Sequence, residues 1–179
     1  MAFTRQFLML SLILAGATVT TRLNASAHQR AATADEPVTV IGSFDNFRSG
    51  IETVSGHSLT LWKHGTRIIG WLQVAEGQPG TFETDLIDKG SLDVTTHRLI
   101  LDASSGVVRH SFTGTLTSAA IDGELSRHNP FLMNTPVGPT IRYTLHLRRN
   151  REDTQRMINY ATYDEWKAVA DAKIHRSLE

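Results

Sequence analysis

From Val38 to Leu147 polar and apolar residues alternate in short runs, separated by Gly, Pro and Ser clusters, and no helical period intervenes. Successive side chains of a strand point to opposite faces, so each run describes a strand with one face on a core. Many such runs joined by turn residues specify an all-β domain. The expected architecture is an antiparallel up-and-down β-barrel, with a β-sandwich as the alternative.

The clearest hairpin is Leu59–Lys63 against Thr66–Leu72, joined through His64-Gly65, where Gly supplies a positive φ. One face of it carries Leu59, Leu61, Ile68, Leu72 and Val74, and the other carries Thr60, Trp62, Ile69 and Trp71. A sheet that is apolar on both faces needs cover on its outer side. Further on, Phe82, Thr84 and Leu86 share a face. The apolar parity then slips between Leu92 and Leu99, which asks for a bulge or turn near Thr95 to Arg98. His110, Phe112, Gly114 and Leu116 point one way, as do Ile121, Gly123 and Leu125, and again Ile141, Tyr143, Leu145 and Leu147.

Past Arg149 the period becomes helical. Thr162-Tyr163-Asp164-Glu165 has the form of a capping box, and Tyr163, Trp166, Val169, Ala170 and Ile174 make an apolar stripe after it. The stripe is expected to dock on the Trp62, Ile69 and Trp71 face, with Trp166 as its anchor.

The N-terminus has three parts: Arg5, an apolar run from Phe7 to Val19, and Ala25-Ser26-Ala27, the small-x-small pattern of a signal-peptidase site. The run is shorter than the about 20 residues of a spanning helix. The expected organisation is a signal peptide at 1–27, a flexible lead-in at 28–37, a barrel at 38–149 and a helical segment packed on it at 150–179. With no cysteine in the chain, a disulfide-free protein of the bacterial periplasm or exterior is expected, with no membrane anchor after cleavage. Lys and Arg number 18, as do Asp and Glu, and cleavage removes Arg5 and Arg22. The remainder is slightly acidic, which argues against a nucleic-acid partner.

Chemistry-bearing motifs are absent from the sequence. The histidines are scattered without metal-ligand spacing, and no nucleophile elbow, phosphate loop or dinucleotide fingerprint occurs. No cofactor and no metal is called for. The carboxylates Glu83, Asp85, Asp122 and Glu124 fall mostly on faces expected to point outward. His110 stands apart because its strand face is apolar, so a buried imidazole there requires a hydrogen-bond partner. The segment Arg127 to Pro139 lacks alternation yet contains Phe131-Leu132-Met133, which suits a plug or a lid over one barrel end.

Gly42-Ser43-Phe44 on the first strand, the meander of hairpins and the helix after the last strand resemble the lipocalin and calycin group of small-ligand barrels. Those proteins carry Gly-x-Trp on the first strand, where this chain has Phe44. The general shape also resembles exported bacterial proteins of unassigned function. The resemblance implies a fold and no catalytic residue.

The leading expectation is a non-enzymatic binding barrel for a small apolar or amphipathic ligand. Its contacts would come from Phe44, Leu61, Leu72, Phe82, His110, Phe112, Phe131, Met133 and Tyr143. Core packing of the same residues is the competing reading. A protein-interaction or inhibitor module using outer-face aromatics and loops is the alternative function. A barrel hydrolase or isomerase centred on His110 is the third.

Overall fold

The structure, a computed structural model, describes residues 36–78, 80, 82–106, 108–128 and 140–176. The signal peptide and all but the last two residues of the lead-in expected at the N-terminus, and Phe131, Leu132 and Met133, lie outside the described residues. Among those described, no helix is long and apolar enough to cross a membrane.

The strands are β1 (Val38–Asp45), β2 (Arg48–Ser49), β3 (Val54–His64), β4 (Arg67–Gly77), β5 (Glu83–Asp93), β6 (Arg98–Ser104), β7 (Arg109–Leu116), β8 (Ala120–His128) and β9 (Thr140–Asn150). Two helices follow, α1 (Arg151–Arg156) and α2 (Tyr163–Arg176). From β3 to β9 every strand pairs antiparallel with the next one in sequence, and β1 pairs with both β3 and β9. That double pairing closes an antiparallel barrel of eight strands, as the alternation requires, and excludes the sandwich. The two-residue β2 prolongs the β1 edge along β3.

In the β3–β4 hairpin the last pair is His64↔Arg67, so Gly65 and Thr66 form the turn, with Gly65 at φ 58°. Leu61 therefore faces Gly70 and Leu59 faces Leu72, two residues on from the register that a His64-Gly65 turn would set. Gly takes the first central place, as in a II′ turn, instead of the second. A two-residue shift preserves parity, so both faces carry the residues expected of them.

The parity slip between Leu92 and Leu99 is the hairpin turn itself: residues Val94 to His97 make the β5–β6 turn, in which the Asp93 carboxylate accepts from the amides of Thr95 (2.8 Å) and Thr96 (3.1 Å). A separate change of parity, at a bulge in β5 between Ile87 and Lys89, leaves no turn signal in the sequence.

Inside the barrel Phe44, Leu59, Leu61, Leu72, Leu99, Phe112, Leu125 and Leu145 form one continuous core. Gly114 and Gly123 face each other across β7 and β8 because the Phe112 ring lies over both. A Cβ on Gly123 would stand 2.7 Å from Phe112 Cζ. Where the barrel closes, Arg149 crosses the seam. Its guanidinium donates to the carbonyls of Ile41 and Ser118 and lies 5.3 Å from the centroid of the Phe44 ring. Arg149 is thus a fixed part of the closure.

A second core lies outside the barrel. Val38, Trp62, Ile69, Trp166 and Ala170 are buried there, with Trp71, Leu86, Tyr160 and Tyr163 packed around them. Trp166 is fully buried, so α2 docks on the β3–β4 face through the expected anchor. Its start has half of the anticipated box: Thr162 Oγ1 accepts from the Glu165 amide at 3.3 Å, but the Glu165 carboxylate reaches one residue further back and accepts from the amide of Ala161 at 3.0 Å instead of that of Thr162. Val169 departs from the expected stripe and is exposed. The link between the helices covers the free edge of β1, where Val38 and Tyr160 exchange two backbone hydrogen bonds of 2.9 Å and Val40 donates to Asn159 at 2.8 Å.

Candidate functional site

The barrel interior is full. Beneath His110, between Leu59, Leu101, Phe112 and Leu125, the void amounts to about 10 Å³, roughly the space of one water. Phe44, Leu61, Leu72 and Phe112 occupy this core and touch one another instead of surrounding a space.

Phe82, expected inside, lies outside, edge to face with Phe47 at 5.5 Å between ring centroids. The correction applies to the whole start of β5. Ile87 belongs to the barrel core and Leu86 to the outer one, so Glu83 and Asp85 point inward while Phe82 and Thr84 do not. The apolar face of this segment is its outer face because α2 covers it, and the sign of the pattern is thereby reversed.

That reversal builds a polar constellation at one end of the barrel, where β3, β5, β7 and β9 begin and β4, β6 and β8 finish. The imidazole of His110 is 3% exposed and its Nδ1 shares a short hydrogen bond with Oδ2 of Asp85, which is 1% exposed. The partner that a buried His110 requires is therefore a carboxylate 25 residues away. Arg127 donates to Glu83 at 2.8 Å and to Glu76 at 3.1 Å, and the Tyr143 hydroxyl donates to Glu76 at 3.1 Å. The His57 ring stands 5.2 Å from that of Tyr143. Burial pushes the His57 pKa below the usual histidine range. The charges of His110 and Arg127 act the same way, and Glu76 opposes them. Burial likewise raises the Tyr143 hydroxyl, with the Glu76 charge adding to it. For Arg127 burial works downward, but Glu83 and Glu76 outweigh it and hold the guanidinium charged.

A cleft of about 660 Å³ adjoins His110, lined by Asp88, Asp102, Arg109 and His128, and another space lies on the outer side of the sheet. Between β3, β4 and the segment 153–160 a pocket of about 430 Å³ is walled by Trp62, Trp71 and Tyr160 and floored by Ser43, Ser58, Thr60 and Gln73. The volume falls within the about 300–1,000 Å³ typical of small-molecule sites. Strand alternation explains the lining, since Ser58, Thr60 and Trp62 share the outer face of β3 and Trp71 and Gln73 share that of β4. Trp62 and Trp71 have ring centroids 4.7 Å apart, and the Trp62 indole is held by a 3.0 Å hydrogen bond to the Ile158 carbonyl. Lys173 reaches from α2 to within 5.1 Å of the Trp71 ring centre, and Asp45, Asp153 and Arg156 complete a rim of mixed charge. The arrangement offers flat apolar walls to a ring or short chain, hydroxyl and amide groups to its polar atoms, and both signs of charge at the entrance.

Sequence reading found the Trp62 and Trp71 face but assigned it to α2 or, in the alternative function, to a protein partner, and not to a small molecule. It missed Ser43, Ser58, Thr60 and Gln73 because short polar residues on an outer strand face look like solvated surface. It also missed Asp85, for which a signal existed: a buried His110 requires a partner, and Asp85 shares parity with Ile87. Compared with protein-family models, curated proteins and solved structures, the chain matches none.

Proposed function

We propose that this chain is an exported, non-enzymatic binding barrel that holds a small amphipathic molecule outside the barrel, in the pocket of Trp62, Trp71 and Tyr160. The observation that carries the reading is a pocket of about 430 Å³ walled by three aromatic rings, where the apolar core inside the barrel leaves a void of only about 10 Å³. The three-part N-terminus and the absence of cysteine support export. The resemblance to lipocalins through Gly42-Ser43-Phe44 fits the barrel, with the cargo on another surface. An outer-face protein interaction has less support, because α2 already covers much of that face.

Native mass spectrometry of untagged protein from its own organism tests the proposal. A bound small molecule is expected, and Trp71→Ala is expected to lose it, with affinity lowered about tenfold or more, equivalent to about 1.4 kcal/mol. Trp71 is suited to this because it is only half-buried and lines the pocket. A ligand retained unchanged by Trp71→Ala would move the site elsewhere.

A further inference from the structure

We propose that Glu83, Asp85 and His110 bind one divalent transition-metal ion inside the polar end of the barrel. One donor atom from each of the three lies within 4.8 Å of the others, so modest side-chain rotation brings them to a common centre. The residues come from β5 and β7, which do not pair; between them β6 presents Ala103, whose small side chain leaves the crossing open.

The second observation concerns hydrogen bonding. Asp85 and His110 are both almost wholly buried, yet Asp85 Oδ1 and His110 Nε2 have no partner. Buried polar atoms are normally satisfied, and leaving two bare in one cluster is costly unless something else fills the role. Glu83 keeps its bond to Arg127 through Oε2 and has a second oxygen to offer.

Charge points the same way. Glu76, Glu83 and Asp85 oppose Arg127, so the constellation is negative when both imidazoles are neutral, and a divalent cation compensates that excess. One imidazole with two carboxylates suits zinc or manganese better than the all-oxygen shell that calcium prefers.

The test is calorimetric titration of untagged, chelator-treated full chain with Zn²⁺ and, separately, Mn²⁺. One ion per chain with a micromolar or tighter dissociation constant is expected for at least one of them. Glu83→Gln should weaken it about tenfold or more. Asp85→Asn should abolish it, and circular dichroism will show whether that variant folds. Glu83→Gln, at a half-buried position that can still accept from Arg127, keeps the test decisive if Asp85→Asn does not fold. The exposed pair His146 and Asp122, 2.6 Å apart, is the natural competitor, so His146→Ala should leave binding unchanged. Binding weaker than about 100 µM for both ions, binding unaffected by Glu83→Gln, or binding lost in His146→Ala would each overturn the proposal.

Discussion

The two faces of the β3–β4 hairpin are built from similar materials and end differently. Inward, Leu59, Leu61, Ile68 and Leu72 meet side chains from every other strand of a closed ring, which converge until almost no space remains. Outward, Trp62, Ile69 and Trp71 meet one helix and one extended segment. These cover the upper part of the face and stand off its polar lower part, leaving a pocket. Closure packs a surface from all directions; a lone helix packs it from one. Apolar residues on an inner barrel face are therefore weak evidence for a cavity, and room is to be sought where the cover is partial.

The comparison can be broken most forcefully from inside. Phe112→Ala removes a ring that covers the Gly114–Gly123 crossing and should cost about 4 kcal/mol, read as a lower urea midpoint with unchanged slope. A loss under about 1 kcal/mol would mean that the interior is loosely filled. Trp166→Ala should cost about 3 kcal/mol and, unlike Phe112→Ala in a variant that still folds, should also weaken ligand binding, because Trp166 positions the cover of the pocket. An unchanged midpoint would show that α2 does not depend on its anchor.

Gly123→Ala sharpens the account in the opposite sense, by adding one methyl group where there is no space. A cost of about 2 kcal/mol is expected from overpacking against Phe112 and the Thr113 carbonyl. A neutral result would show that β7 and β8 can separate, and that the core has more give than its 10 Å³ void suggests.

The smallest effect concerns pH. His57 has a folded pKa below its unfolded value of about 6.5, chiefly through burial, so the unfolded chain takes up the proton more readily. Its contribution is complete above about pH 6.5, declines as the pH falls below that, and levels off once the folded pKa is passed. The drop in urea midpoint between pH 7 and pH 5 should therefore be smaller in His57→Gln than in the wild type. An equal or larger drop would place His57 in a solvated environment.

The strands, the inward sets of β6 to β8 and of β9 from Tyr143 to Leu147, the Thr162 half of the capping box and the docking of Trp166 were legible, because each rests on local periodicity or on an apolar stripe that needs a surface; Ile141, expected inward, is exposed. The start of β5 was misread because its outer face is as apolar as an inner one. Phe82, Thr84 and Leu86 outweighed Glu83 and Asp85 in any pattern that assumes polar residues face water. The histidine's requirement for a partner was legible, but its identity was not. Nothing in one sequence brings position 85 to position 110 across the intervening strand β6. The pocket was half visible, as two tryptophans on an outer face. Its polar floor depends on where the segment 153–160 crosses the sheet, which no local signal determines.

The central claim is that a small molecule is held on the outer face and excluded from the interior. Methyl-resolved NMR during titration with anilinonaphthalene sulfonate, an amphipathic aromatic probe, tests it most directly. Saturable shifts at the methyls of Thr60, Met157 and Ile158, with those of Leu101, Leu125 and Ile121 unmoved, are the expected result. Shifts led by Leu101 and Leu125 would place the ligand inside the barrel and contradict the account.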